Sequence, residues 1–279
     1  MKIFDFHIHS CYEMDGMTFD ARVLLENMEA QGIDSGSVIS GAPKYWNEEE
    51  AHTPKERLDE LMRCCAGYQD RLYPVLWVHP DEEGTDEIVA EATERGIKGF
   101  KIICNNFYVY EDKSMALLEK IAKTNKPVLF HSGILWDDTV SCKYNRPLHW
   151  EAVCRIPGLR FALAHCSWPW YDEAIALYGK LWYNHKKDAS KYSEMFLDLT
   201  PGTPVPYRKD LFAKLFGCGY DLVDNLLWGS DNCGDAYDPA MTQQWLQLDE
   251  DIFNEMGISQ EIRAKIYNEN RKRFFNVTD

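Results

Sequence analysis

The chain has 279 residues, and 30 Lys plus Arg against 45 Asp plus Glu give it a formal charge of −15. So acidic a chain lacks the clustered Lys and Arg that a phosphate backbone demands, which excludes nucleic acid as the main partner. A hydrophobic share of 45% suits a core-forming globular protein, and no apolar run nears the roughly 20 residues that span a bilayer, which excludes a membrane partner.

In chain order, the apolar, β-branched or aromatic runs Ile3–His9, Ser37–Ser40, Tyr73–His79, Ile97–Ile103, Pro127–His131, Arg160–His165, Met195–Leu199 and Leu226–Ser230 predict strands. Their starts lie roughly 30 residues apart, the length of a βαβ unit. Helices fill the gaps. Phe19, Val23, Leu24 and Met28 form one apolar face with Gly32 as its stop, and Ile88, Val89 and Ala92 repeat the device with Gly96. Met115, Leu118, Ile121 and Ala122 precede Lys123, Lys126 and Pro127, cations and a breaker suited to a helix end. The segment Asn184–Lys191, rich in Lys, reads as a solvated loop before strand seven.

Strands alternating with helices imply a parallel sheet, and eight such units predict an α/β fold, the (β/α)8 or TIM barrel. No Gly/Ser-rich or Pro-rich linker interrupts the series, so residues 1–279 read as one domain. Nine Cys without a Cys-x-x-Cys pair suit reduced thiols, and Asp5, His7 and His9 stand where a leader would need apolar residues. A cytoplasmic protein is the expectation. Cys11, Cys104, Cys166 and Cys233, each close behind a strand end, read as small packing residues.

In such a barrel the chemistry sits at the C-terminal ends of the strands. Four of the eight His occupy those ends: His7 and His9 on strand one, His131 on strand five, His165 on strand six. Strand eight ends in Asp231. His at i and i+2 share a strand face, and imidazoles with a carboxylate make a ligand set for Zn²⁺, with Mn²⁺ as an alternative. Asp231 alone would equally suit a helix N-cap.

These segments are recognisable. Phe4-Asp5-Phe6-His7-Ile8-His9, Gly96-Ile97-Lys98-Gly99-Phe100-Lys101, Val128-Leu129-Phe130-His131-Ser132-Gly133, Phe161-Ala162-Leu163-Ala164-His165-Cys166 and Leu227-Trp228-Gly229-Ser230-Asp231 resemble the amidohydrolase superfamily. The similar branch contains aminocarboxymuconate-semialdehyde decarboxylase, related hydratases and small lactonases. The resemblance implies that His7, His9, His131 and Asp231 hold a catalytic ion, with His165 beside the bound water or substrate oxygen. It also implies that Asp231 acts as general base and then acid. Lys101 is a ligand only if carboxylated, since an ammonium has no lone pair, and one ion is favoured over two.

The implied activity is hydrolysis of a lactone, amide or ester, with decarboxylation or hydration of a small carboxylate as the alternative. Asp5-Phe6-His7-Ile8-His9-Ser10 with Asp15-Gly16 is also similar to the opening of polymerase and histidinol phosphatase family phosphoesterases. Val38-Ile39-Ser40 stands where that family carries Thr-Asp-His, so phosphoester hydrolysis at a multinuclear site ranks below both. Trp136 and Trp168 are candidate pocket walls, together with Tyr144, Trp170 and Tyr237, and Lys101, Arg146 and Arg208, with Lys143, are candidate anchors for a small-molecule substrate. His79 reads as a structural histidine. A homodimer is an expectation carried by the same resemblance.

Overall fold

The computed structural model describes residues 1–10, 20–44, 46, 52–234 and 236–278. Cys11, Asp15, Gly16 and Phe19 lie outside the described residues. The strands are β1 (Phe4–His9), β2 (Ser35–Ile39), β3 (Leu72–Trp77), β4 (Gly99–Ile102), β5 (Val128–Phe130), β6 (Arg160–Leu163), β7 (Glu194–Asp198), β8 (Leu226–Leu227) and β9 (Asn232–Cys233). All pair in parallel in the order β8-β7-β6-β5-β4-β3-β2-β1-β9.

β8 and β9 are two halves of one passage of chain, and that passage closes the ring onto β1. Phe6 N–H donates to Trp228 O (2.9 Å) and Asp231 N–H donates to His7 O (2.9 Å), bridging the gap between the halves. The (β/α)8 barrel expected from the sequence is therefore the fold. Helices α1 (Ala21–Glu29), α2 (Pro54–Cys64), α3 (Thr85–Glu94), α4 (Asp112–Lys123), α5 (Ser141–Tyr144), α6 (Tyr171–Lys187), α7 (Val205–Gly217) and α8 (Pro239–Met256) follow strands, and α9 (Gln260–Ala264) and α10 (Asn270–Phe275) close the chain.

Parallel strands are covered on both faces, so they are apolar throughout rather than alternating. One core packs strands against helices through Val38, Leu76, Phe130, Leu163, Leu24 and Leu118. A second fills the barrel from below. There the register of β1 on β2 shifts between Asp5 and Ile8, a bulge of the kind that re-aims side chains. Phe4 and Phe6 pack on Phe275 and Phe274 of α10, with Phe6 and Phe274 edge to face at 5.0 Å. His7 and His9 then meet at the opposite end.

Gly32 (φ 73°) and Gly96 (φ 90°) take the left-handed positions after α1 and α3, as the sequence predicts. After α4 the left-handed residue is Asn125 (φ 57°), a position that composition did not mark. Strands six and eight end earlier than their apolar runs. For strand six the cause is local: His165, Cys166 and Ser167 have φ of 58°, 45° and 61°; past strand eight, Asp231 has 61°. A left-handed residue breaks an extended run and re-aims its side chain. The expected loop at Asn184–Lys191 is corrected as well, because α6 runs on to Lys187. Its last turn carries Lys186 and Lys187, cations that favour the negative end of a helix.

Arg208 requires a further correction. It is 1% exposed and lies within α7, where its Nε and Nη2 donate to both carboxylate oxygens of Asp249 on α8 (2.8 Å each) and Nη2 also donates to Leu199 O (2.7 Å). Trp228 Nε1 donates to the same carboxylate at 3.1 Å. The bidentate geometry that suits a substrate acid is thus spent inside the fold. Removing one partner of a buried pair strands the other charge, at a cost of about 3–5 kcal/mol. Arg208→Met is expected to lower the unfolding free energy by about that amount in urea titrations, while metal affinity of the folded fraction stays unchanged.

Candidate metal centre

The strand ends converge. His7 Nε2 lies 3.1 Å from His9 Nε2, and Asp231 Oδ1 lies 3.5 Å from His7 Nε2 and 3.4 Å from His9 Nε2. Among the described residues these three form the one group of His, Cys, Asp and Glu whose ligand atoms all fall within 4.8 Å of one another. His131 stands outside that triad, its ring 5.0 Å from that of His165. Its Nε2 is buried with no hydrogen-bond partner, and the residue lines the same cavity as His9 and Asp231.

Each donor is prepared by its surroundings. His7 Nδ1–H donates to Asp198 Oδ2 at 2.7 Å, which leaves Nε2 bare and aimed into the triad. Asp198 is itself held by the N–H of Thr200 (2.8 Å) and by the Thr200 hydroxyl. Burial holds His7, His9 and His131 below the ordinary imidazole range, with the Lys101 ammonium acting in the same direction on each, so all three are neutral donors. Burial alone would raise the Asp231 carboxyl, yet His165, His9 and His7 hold it below the usual carboxylate range. Three neutral imidazole nitrogens and an ionised carboxylate fit a divalent ion of borderline softness.

Lys101, 1% exposed, donates to His7 Nε2 at 3.3 Å. Burial lowers its pKa to about 8 against the charges of Asp231 and Asp198. His165 sits in its left-handed turn with Nδ1–H donating to Pro201 O at 3.0 Å. Because a carbonyl can only accept, Nδ1 carries the hydrogen and Nε2 is the atom left for the cavity. The turn is clamped to its neighbour strand: Ser167 Oγ and Ser132 Oγ are 2.8 Å apart, and Ser132 donates to Asn145 O at 3.2 Å.

The cavity over these groups measures about 230 Å³, below the roughly 300–1,000 Å³ of sites for drug-sized ligands. Trp136 and Trp168 line it, as the sequence suggests, and so do Trp46 and Asp137, which the sequence did not single out. Arg146 is not part of the lining. It pairs with Glu173 and lies 5.4 Å from the Trp170 ring centroid. Lys143 rests on Tyr144, and Tyr237 donates to Asp5 Oδ2 at 3.0 Å. His79 is structural: Nδ1 accepts from Asp81 N–H and Nε2 bonds Asn106, both at 3.1 Å. Cys104 and Cys166 are buried packing residues, burial raising both thiols, whereas Cys233 is partly exposed.

Asp198 was missed because it lies inside the apolar run Met195–Leu199; a carboxylate at the end of a barrel strand was the available signal. No helix among the described residues is long and apolar enough to cross a membrane.

With this geometry established, the chain belongs to the amidohydrolase family, whose model matches residues 4–277. It is 26% identical over 130 residues to the protein fluG of Emericella nidulans, and that match spans 46% of the chain but 14% of the relative. Among solved structures it is similar to 2,6-dihydroxybenzoate decarboxylase from Rhizobium, with a TM-score of 0.64, 15% identity and 98–99% of each chain covered. It is also similar to a protein described as a probable 2-pyrone-4,6-dicarboxylic acid hydrolase from Acinetobacter baumannii, with TM-score 0.63, 12% identity, and 99% and 100% covered. Dihydroorotase from Campylobacter jejuni follows, with TM-score 0.62, 14% identity, and 99% and 84% covered. At these identities the structural likenesses establish the shared fold.

Gly202, in the cavity lining, leaves no room for a side chain. A Cβ there would stand 2.6 Å from His165 Cβ and 2.9 Å from its Cγ. Gly202→Ala is expected to displace the His165 imidazole, read as a shift of its ring resonances in NMR spectra of the variant against wild type. Metal content, measured in the same preparation, should stay at the wild-type value.

Proposed function

We propose that the protein is a metal-dependent hydrolase that opens a lactone, ester or amide of a small, neutral or singly charged molecule. The observation that carries this reading is the convergence of His7, His9 and Asp231, with the unpartnered Nε2 of His131 in the same cavity. One divalent ion held by these residues, best matched by Zn²⁺ with Mn²⁺ next, supplies Lewis acidity that acidifies water and polarises a carbonyl.

The chain's own groups do the rest. Asp231 Oδ1 faces His7 and His9 while its side chain stays 32% exposed and lines the cavity, so it can take a proton from the attacking water and return it to the departing group. That is general base and then general acid catalysis at one carboxylate. His165 Nε2, the ring atom left for the cavity, stands beside the attacking water or the substrate oxygen. Lys101 adds a positive charge beside His7, and the apolar walls exclude bulk water.

Decarboxylation of a small aromatic acid is the second reading, favoured by the indoles of Trp46, Trp136 and Trp168 around the cavity. The two part in one assay, in which metal-loaded protein is offered neutral lactones and aryl esters alongside hydroxybenzoic acids. Ring opening or ester cleavage without carbon dioxide release is expected. Chelation should abolish it, and Asp231→Asn should lower it by about 10²–10⁴. Carbon dioxide release alone would replace hydrolysis by the second reading, and full activity in Asp231→Asn would refute the catalytic assignment altogether.

A further inference from the structure

The cavity has ionisable groups at two levels. Lys101, His9 and His131 form a buried floor with Asp231 beside it, exposed by 1%, 4% and 6% for the first three. Apart from His165, whose Nδ1–H is tied to Pro201 O, the rest of the lining is apolar or aromatic except for the carboxylate of Asp137, on the loop that follows β5. Asp137 is exposed, and its Oδ1 accepts from Thr139 N–H at 2.8 Å, which ties the carboxylate to its own loop. Among the described residues no cation pairs with Asp137, and no Arg lines the cavity. Next to it Trp136 lines the cavity while 84% exposed. An indole that open has apolar area left for a bound molecule to cover.

We propose that Asp137 and Trp136 act as a charge filter at the rim. The site then takes compact single-ring molecules with one carbonyl or carboxylate head and a neutral or hydrogen-donating tail, and it rejects a second carboxylate. The inference rests on the floor being the metal-holding end. With the head against that floor, a para substituent points toward the rim. In so small a cavity it falls within a Debye length of Asp137, about 8 Å at physiological ionic strength, where an unscreened like charge is felt. A tail with an amine or hydroxyl instead donates to the same carboxylate, and the Trp136 face covers the ring whichever tail it carries.

The test is binding, which does not depend on the reaction class. Zinc-loaded full-length protein is titrated calorimetrically with benzoate, 4-aminobenzoate and terephthalate. Wild type is expected to bind the first two about tenfold more tightly than terephthalate, and 0.5 M NaCl should shrink that ratio. Asp137→Asn should bring terephthalate within about twofold of benzoate without weakening benzoate. Trp136→Ala should weaken all three alike, and Trp136→Phe should restore most of the loss. Equal binding of terephthalate and benzoate by wild type overturns the filter, as does unchanged discrimination in Asp137→Asn or failure of all three probes to bind the zinc-loaded chain. A chain that takes up no zinc refutes the metal reading instead, and that is seen in the metal analysis before any probe is added.

Discussion

The hydrogen bond from His7 Nδ1–H to Asp198, 2.7 Å long and fully buried at both ends, is the constraint on which the site depends. It joins the end of β1 to the end of β7 across the barrel mouth. It fixes the tautomer, so that Nε2 presents a lone pair to His9 and Asp231. Without it His7 would be a buried imidazole free to turn, and the triad would lose the member that both other donors and Lys101 face. The ring closure serves the same end, since the bond from Asp231 N–H to His7 O locks the strand-eight ligand against the strand-one ligand.

The backbone is strained where these groups are aimed. His165, Cys166, Ser167 and Asp231 are non-glycine residues with positive φ, each costing on the order of 1–3 kcal/mol. Packing and hydrogen bonds on every side hold them there. Gly229 shows how little room is left, because a Cβ at that position would fall 2.8 Å from His7 N and 2.9 Å from His7 Cβ. A barrel wall that was merely stable would need neither the strain nor the close approach. Both place two side chains, His165 and Asp231, that a regular strand would have aimed elsewhere.

The barrel was legible because parallel strands covered on both faces must be continuous apolar runs, and Phe100, Phe130 and Leu163 could hardly be anything else. The His at strand ends were legible for the converse reason: an imidazole inside an apolar run demands an explanation. What stayed hidden needed a partner to interpret. Arg208 has the same fork-shaped chemistry toward a substrate acid as toward Asp249, and only folding brings α7 and α8 together to decide. Asp198 passed as one polar residue in an apolar strand. Asp137 and Trp46 lie on loops, where no periodicity predicts direction. The early end of β6 escaped notice because a left-handed residue other than glycine leaves no mark in composition.

The most direct measurement is zinc uptake by chelator-stripped protein, followed by elemental analysis and calorimetry in wild type and in Asp198→Asn. The account predicts one tightly held ion per chain, with affinity lowered by about 10–100-fold when the Asp198 carboxylate can no longer orient His7. A wild-type chain that takes up no zinc, or an Asp198→Asn chain that holds it as tightly as wild type, would contradict it.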